Sequence, residues 1–283
     1  MIARGEDRDM PGTEKVWRAE GLAAPHDGLA NGDAHLLAVN HVPVTRAELP
    51  WIPPKDSPLK DPGIARANIA ATHAHPHGTT AHTWSKRYAH QTVLQQHCAF
   101  FDRDADGILW PSDTYTGFRA LGFSVLVSAI ALFIIHLNFA FPTSDSWVPD
   151  PCFRINLANV HRTKHGSDSD VFDQQGRFRP QAFEDVFAKY GDAGGGGEGK
   201  GEEGLSLRAL ARMIWAQRNV GDVIGWGGAV FEWGVTWLMI WPEDGVLRKE
   251  EVRRVFDGSL FHEWAREVER KKRTGGKGGM RRW

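Results

Sequence analysis

A run of aspartates near the middle of the chain has the spacing of a calcium-binding loop. It reads Asp102-x-Asp104-x-Asp106-Gly107-Ile108, followed five residues later by Asp113. In the EF-hand loop, carboxylates at positions 1, 3, 5 and 12 and the carbonyl oxygen of position 7 bind the ion, and glycine at position 6 allows a sharp turn. The predicted calcium ligands are therefore Asp102, Asp104, Asp106, Ile108 and Asp113.

Two positions of this loop differ from the usual pattern. Trp110 at position 9 cannot hold a ligating water through its side chain, and Asp113 replaces the usual bidentate glutamate at position 12. We therefore expect weak calcium affinity and a better tolerance of Mg²⁺. EF-hands usually pair, and residues 242–251 keep an Asp-Gly turn and a terminal glutamate. These residues are expected to form a metal-free partner that braces the first loop.

Three histidines are candidate ligands for a metal or a haem iron. His97 lies five residues before Asp102, and His161 and His165 stand four residues apart. Histidines one helical turn apart can share a metal, and histidines distant in sequence can bind a haem iron axially. A zincin is excluded, because Arg162 stands where the HExxH pattern needs glutamate. From spacing alone, a ligand role and a purely structural role stay open for each histidine.

A second group of histidines lies further towards the N-terminus. A transition-metal site and a solvated linker are both compatible with this composition, and we favour the linker. The group consists of His73, His75, His77, His82 and His90.

The elements around the acidic loop are predicted to be helices. Residues 88–101 lack glycine and proline and are expected to form a helix that leads into the loop. A second helix is expected to begin near Asp113 and to run straight into an apolar block at residues 120–141. Helical spacing recurs in residues 183–190, 205–219 and 223–241.

The apolar block is long enough to cross or enter a bilayer. Its 22 residues carry no formal charge and would form a helix about 33 Å long. Ser124, Ser128 and His136 fall on one stripe, which favours a helix packed on protein or lying shallow in lipid over one surrounded by acyl chains. A buried core helix is the alternative, and we favour membrane contact.

Prolines and tryptophans mark the ends of the apolar segments. Pro142, Pro149 and Pro151 follow the first block so closely that a helix should end and the chain should turn there. In residues 223–241 the tryptophans at 233, 237 and 241 would share one helical stripe. An interfacial aromatic belt and an ordinary aromatic core explain that stripe equally well.

The sequence divides into five regions. Residues 1–85 form a proline- and histidine-rich irregular arm, 86–119 the EF-hand, and 120–153 the apolar lipid segment with its proline knot. Residues 154–265 form a C-terminal region with a flexible glycine-rich insertion at 191–204. Residues 266–283 form a basic tail with eight basic and two acidic groups, a net charge of +6, and such tails are usually disordered.

Composition excludes several classes of protein. The 283 residues include 34 basic and 35 acidic side chains, a net charge of -1, so a dedicated nucleic-acid binder is not expected. Two cysteines exclude a disulfide scaffold. The charged N-terminus lacks the apolar core of a secretory signal.

Several strings, taken together and in order, resemble the caleosin family over residues 88–264. They are Leu94-Gln95-Gln96-His97-x-x-Phe100-Phe101-Asp102, Gly117-Phe118-Arg119-Ala120-Leu121-Gly122-Phe123, His161-x-x-Lys164-His165-Gly166-Ser167-Asp168-Ser169, Glu232-Trp233-Gly234 and Arg253-Arg254-x-Phe256-Asp257-Gly258-Ser259-Leu260-Phe261. Arg154 stands where the family's knot has its last proline, so the turn there is expected to be looser.

The resemblance implies a mainly α fold: an EF-hand with a degenerate partner hand, a lipid-inserting apolar helix and a proline knot. It also implies a haem peroxygenase that uses Ca²⁺ and haem b, with His97 and His165 as the catalytic, haem-linked histidines. The implied partners are fatty-acid hydroperoxides, unsaturated fatty acids and a lipid monolayer or endoplasmic-reticulum membrane. The implied location is the surface of lipid droplets and that membrane. Homo-oligomerisation is left open.

Three functions therefore compete. The leading hypothesis is a calcium-dependent haem peroxygenase that transfers oxygen from fatty-acid hydroperoxides to unsaturated lipids. The alternative is a non-catalytic calcium-binding protein that tethers or structures lipid droplets. A third hypothesis is a soluble calcium sensor in which the apolar block is a core helix.

Overall fold

The computed structural model describes residues 65–192 and 203–274. The predictions for most of the arm, for most of the glycine-rich insertion and for the last nine residues of the tail fall outside this part of the chain. As predicted, the described part is mainly helical. Its α-helices are α1 (Trp84–Arg87), α2 (Val93–Ala99), α3 (Pro111–Ala120), α4 (Val125–Thr143), α5 (Pro180–Tyr190), α6 (Leu207–Gln217), α7 (Val223–Ile240), α8 (Lys249–Phe256) and α9 (Ser259–Arg273).

Four short strands and two 3-10 helices complete the described elements. The strands are β1 (Ile108–Leu109), β2 (Ile155–Asn156), β3 (Gly204–Ser206) and β4 (Val246–Arg248), and the 3-10 helices are Ala81–Thr83 and Leu157–Thr163. Each strand lies between two helices, so residues 93–192 and 203–256 contain four successive helix–strand–helix units. β1 pairs antiparallel with β2, and β3 pairs antiparallel with β4. The units therefore associate as two successive pairs.

This pairing corrects the predicted partner of the acidic loop. Residues 242–251 were expected to brace it, but their strand pairs with β3, with Leu247 opposite Leu205. The acidic loop pairs instead with the segment that follows α4, and Leu109 lies opposite Ile155. Both of these side chains are buried with Ala140 and Leu157 in one cluster. The sequence around β2 has no run of acidic residues, so sequence patterns do not mark it as the partner of the acidic loop.

The helix before the acidic loop begins later than predicted. α2 begins at Val93 and not at residue 88, because Thr92 and Gln95 form a capping box. The Thr92 hydroxyl accepts from the Gln95 N–H, and the Gln95 side chain accepts from the Thr92 N–H. Tyr88 packs on Trp84 with ring centroids 4.4 Å apart. The segment before Thr92 therefore turns back over the core.

The predicted continuous helix through the apolar block is broken. α3 ends at Ala120 and α4 begins at Val125, where the Ser124 hydroxyl accepts from the Val127 N–H. Gly122 has φ +93°, a left-handed conformation that interrupts the helix at little cost only in glycine. The two helices fold back on each other, so that Thr114 on α3 hydrogen-bonds His136 on α4 at 2.8 Å.

α4 has one face on protein and one face exposed. Ser128, His136 and Thr143 are buried, in agreement with the predicted polar stripe on a protein-packed side. The opposite face carries large apolar side chains that are 47–69% exposed. They are Leu126, Ile130, Phe133, Leu137 and Phe141, and we call them the α4 apolar face.

The proline segment turns as predicted, although α4 continues through Pro142 to Thr143. After Thr143 the chain bends through exposed Trp147 and Val148. Asp150 and Arg154 close this bend with an ion pair at 2.8 Å, and the Arg154 guanidinium lies over the Trp110 ring. Arg154 therefore links the bend to the acidic loop.

α7 is the second long apolar helix. Two helices of the described chain, α4 and α7, are long and apolar enough to cross a membrane by length and composition. The tryptophan stripe fits neither predicted role as a whole. Trp233 is buried against Phe256, as expected in an aromatic core, whereas Trp241 is 38% exposed, as expected at an interface.

Both ends of the described chain differ from expectation. Residues 65–85 are not simply a linker, because Ala70, Ala71 and Thr72 are buried and Arg66 bridges to Phe178. The histidine group, His73 to His82 in this stretch and His90 just after it, nevertheless has exposed side chains. At the other end, residues 266–273 of the predicted tail continue α9 as a helix.

The turn at Gly122 supplies a stability test. Gly122→Ala should lower the free energy of unfolding by about 1 to 2 kcal/mol, because an L-residue is strained at this φ. Gly227→Ala is the matched control, since a Cβ there meets nothing within 4 Å and alanine favours the helix interior. Thermal melts should show a lower Tm for the first variant only. An unchanged Tm for Gly122→Ala would contradict the assigned turn.

Candidate functional site

The acidic loop brings three carboxylates together between α2 and α3. One carboxylate oxygen from each of Asp102, Asp104 and Asp106 lies within 4.8 Å of the others. The Gly107 N–H donates to Asp102 at 3.0 Å, and the Ile108 N–H donates to Asp106 at 2.7 Å. These bonds curl the backbone around the three side chains, as the motif predicts.

The charge balance of the loop suits a cation. Asp102 Oδ1 is buried and has no hydrogen-bond partner. Burial, followed by its neighbours Asp104 and Asp106, raises the pKa of Asp102, because a carboxylate here is poorly solvated and repelled. A divalent ion among the three oxygens would remove both penalties. The residues present therefore fit a hard cation such as Ca²⁺ or Mg²⁺.

Asp113 lies outside the three-carboxylate group. It stands in the first turn of α3, where its Oδ2 accepts from the Trp110 N–H at 2.9 Å. Ile108 lies in β1, opposite Asn156. Coordination by the Ile108 carbonyl and by Asp113 stays a prediction.

His97 is held by a hydrogen bond that fixes its tautomer. Its Nδ1 lies 2.8 Å from the Val255 carbonyl oxygen, which can only accept, so Nδ1 carries the proton and Nε2 keeps its lone pair. The Phe261 ring packs edge-on at 5.0 Å. Burial lowers the pKa of His97, so the imidazole is neutral. A neutral imidazole with a free Nε2 is the form that binds iron.

His165 has the opposite hydrogen-bond pattern. Its Nδ1 accepts from the Ser167 N–H at 3.2 Å, so in the neutral ring Nε2 carries the proton. This Nε2 is buried and has no hydrogen-bond partner. Gly228 of α7 faces it, and a Cβ atom there would lie 3.2 Å from Nε2. The arrangement is an N–H group without a hydrogen bond, packed closely against the α7 backbone at a position where only glycine lets the helix approach the ring.

The loop of His165 is clipped to the start of α7. The Ser167 hydroxyl donates to Asp222 at 2.7 Å and accepts from the Asn219 N–H at 3.0 Å. Asp222 also caps α7 by accepting from the Gly225 N–H. His165 is thereby held against the helix whose glycine it faces.

Glu232 is the site residue that sequence reasoning did not assign. Its Oε1 lies 3.8 Å from His165 Nε2, too far for a hydrogen bond, and its charge raises the pKa of His165. The same carboxylate also acts to raise the pKa of His97, against the larger effect of burial. Both predicted histidines therefore lie in the field of Glu232. The available signal was a single charge inside the apolar stretch 223–241.

Comparison with known proteins defines the class. The family profile described as "Caleosin related protein" matches residues 89–265. A peroxygenase of Lilium longiflorum is 41% identical over 203 residues, which are 72% of this chain and 80% of the relative. Probable peroxygenase 4 of Arabidopsis thaliana is 38% identical over 168 residues, 59% of this chain and 83% of the relative. The chain therefore belongs to the caleosin family, which confirms the resemblance.

Not every relative has the same name. A probable inactive peroxygenase-like protein of Arabidopsis thaliana is 27% identical over 147 residues, 52% of this chain and 67% of that protein. No solved structure matches the chain.

The role of Asp113 can be tested by lengthening its side chain. Asp113→Glu should raise calcium affinity about tenfold, because glutamate can reach the ion with two oxygens and still cap α3. Isothermal titration with Ca²⁺ measures the change. Asp185→Glu on α5 is the matched control and should leave affinity unchanged, whereas Asp102→Asn should abolish binding. Equal affinities for Asp113→Glu and the unaltered protein would remove Asp113 from the ligand set.

Proposed function

We propose that this protein is a haem peroxygenase that transfers oxygen from fatty-acid hydroperoxides to unsaturated lipids, by epoxidation or hydroxylation. The observation that carries the proposal is the complementary pair of imidazoles, one with a free lone pair and one with a buried unsatisfied N–H. The peroxygenase names of two relatives support the reaction class. Family membership alone does not decide activity, because one relative is named probable inactive.

The two histidines have different roles in this proposal. His97 would hold the iron of haem b through Nε2, with its ring oriented by the Val255 carbonyl and Phe261. The haem, when bound, supplies the redox chemistry that breaks the O–O bond of the hydroperoxide. His165 would donate from Nε2 to an oxygen of the bound hydroperoxide. Glu232, beside that nitrogen, is placed to hold a proton during the transfer.

Absorption spectra separate these roles. His97→Val should abolish the Soret band of the reconstituted protein, because the nitrogen that would hold the haem iron is lost. His165→Val should keep a Soret band and lower oxygen transfer from a fatty-acid hydroperoxide by about a hundredfold, a typical loss for one proton donor. His161→Val is the matched control and should change neither. A Soret band lost in His165→Val but kept in His97→Val would reverse the assignment, and one unchanged in all variants would exclude both histidines.

Calcium is proposed to act through α2. His97 lies near the end of that helix, and the first proposed calcium ligand, Asp102, follows it by five residues. An ion that fixes the loop would therefore fix the end of the helix that carries the proposed axial ligand. On this basis, the peroxygenase should depend on calcium for haem retention.

The second candidate function is a non-catalytic droplet protein. It is favoured by the α4 apolar face and by the relative that is named probable inactive. It predicts calcium and lipid binding without a Soret band, so the same spectra distinguish the two functions.

We propose that the α4 apolar face lies on a lipid surface, at lipid droplets or the endoplasmic-reticulum membrane. The opposite face of α4 is bound to protein through His136, which contacts Thr114 and the Phe153 carbonyl at 2.6 Å. A helix that crossed the bilayer alone would lose those bonds. The exposed side chains can enter lipid without such a loss, because they contact little protein.

Charges on the α4 apolar face should release the protein from lipid. Phe133→Asp with Leu137→Asp should weaken binding to phosphatidylcholine vesicles about a hundredfold or more, since two side chains that are each 61% exposed would no longer enter the lipid. Flotation measures the bound fraction, and far-UV circular dichroism should stay unchanged. Leu207→Asp with Trp215→Asp, two exposed positions on α6, is the control. Equal loss in both double variants would contradict a role specific to α4.

A further inference from the structure

A pocket of about 240 Å³ lies between α1 and the consecutive helices α8 and α9. Its lining includes Arg87 from α1, Arg254 from α8 and Arg266 from α9. The pocket is a separate feature from the site described above, because neither His97 nor His165 lines it. Most of its lining residues carry a polar or basic group. We call it the arginine pocket.

The positive charge of the arginine pocket is only partly balanced. Arg254 pairs with Glu263, which also lines the pocket. Arg87 and Arg266 have no acidic partner in the part of the chain that the structure describes. Three arginines and one glutamate leave a net charge of +2 on the lining. Converging like charges repel one another, and a bound anion removes that cost.

A buried imidazole adds a polar atom with no partner. His262 also lines the pocket, and its Nε2 is buried without a hydrogen-bond partner. Burial, together with the charges of Arg87 and Arg266, lowers the pKa of His262 to about 4. The ring is therefore neutral at physiological pH and can donate one hydrogen bond from Nε2. Because the charges of Arg87 and Arg266 lower this pKa, both guanidinium groups must lie near the imidazole ring.

The chemistry of these groups selects the kind of ligand. Guanidinium groups offer paired N–H donors that match the oxygens of a phosphate, and a neutral imidazole can add a further donor. The volume is below the range of about 300 to 1,000 Å³ typical for drug-sized ligands, so it suits a small anion or one end of a longer molecule. A dianion matches the net charge of +2 better than a carboxylate does.

We propose that the arginine pocket binds a phosphate dianion, either as a free phosphate or as the phosphomonoester headgroup of a lipid. Arg87 and Arg266 supply the uncompensated charge, Arg254 a third guanidinium and His262 a neutral donor. Aromatic contacts link this site to the proposed haem ligand: His262 packs on Phe100 at 5.1 Å, Phe100 on Phe261 at 5.7 Å, and Phe261 on His97 at 5.0 Å.

The test is a titration of the full-length protein in mild detergent with inorganic phosphate, at low ionic strength. The unaltered protein should bind phosphate saturably, and acetate about tenfold more weakly. Arg87→Gln with Arg266→Gln should weaken phosphate binding about tenfold or more, since two charge-assisted contacts are lost. These two side chains are exposed, so the variant should fold, which its thermal melt checks.

A control variant with the same loss of charge distinguishes a specific phosphate site from general electrostatic attraction of anions. Lys86→Gln with Arg270→Gln removes the same two charges from α1 and α9, but neither residue lines the pocket. It should bind phosphate within about twofold of the unaltered protein. Absence of saturable binding, or an equal loss in both double variants, would overturn the proposal. Equal affinity for acetate would overturn the selection of a dianion.

Vesicles distinguish the two sources of the phosphate. Phosphatidylcholine vesicles with and without phosphatidic acid are compared for the unaltered protein and the two double variants. If phosphatidic acid increases vesicle binding, and only Arg87→Gln with Arg266→Gln loses that increase, the ligand is the lipid headgroup. Saturable phosphate binding without such a gain identifies a free phosphate. Neither result depends on haem, so failure here is distinct from failure of the proposed peroxygenase activity.

Discussion

The turn between α8 and α9 packs directly against the backbone of α2, and the position of His97 depends on this contact. A Cβ atom at Gly258 would lie 2.5 Å from the Gln96 carbonyl oxygen, so no larger residue fits. On either side of Gly258, the Val255 carbonyl holds His97 Nδ1 and the Phe261 ring packs on the same imidazole. Since α2 also leads into the acidic loop, the turn connects the proposed haem ligand to the proposed calcium ligands.

A buried ion network holds that turn in place. Arg253 is 1% exposed and binds Asp257, Glu250, the Ala70 carbonyl and Thr79. A buried guanidinium is tolerated only when its donors are satisfied, and removal of one buried partner typically costs about 3 to 5 kcal/mol. The network therefore ties the stretch around residues 70–79 to the α8–α9 turn. It also places Thr79, with Ser259, in the lining of the arginine pocket.

α4 keeps its polar contacts on one side and its exposed apolar side chains on the other. Its polar residues are used internally, by the bonds of His136 to Thr114 and Phe153 and by Thr143, whose hydroxyl accepts from the Asn156 N–H in β2. Its apolar residues point away from the protein. The acidic loop pairs with β2, which immediately follows the bend after α4. The proposed lipid-binding face of α4 and the proposed ion-binding loop therefore belong to directly connected elements.

The sequence by itself determined the features that depend on neighbours along the chain: the three-aspartate loop, the helical character of the apolar segments, the polar stripe of α4 and the family. Spacing and composition are local, so they can be read without a fold. Tertiary structure decided which loops pair, because strands of two or three residues carry too little pattern to specify a partner. It also decided the tautomer of His97, since the proton on Nδ1 is set by the Val255 carbonyl from across the fold. The tautomer of His165 is set within its own loop by the Ser167 N–H, but that loop is held by Asp222 at the start of α7. Only the tertiary structure revealed Glu232 and the arginine pocket as candidate site features, because both depend on contacts between segments that are far apart along the chain.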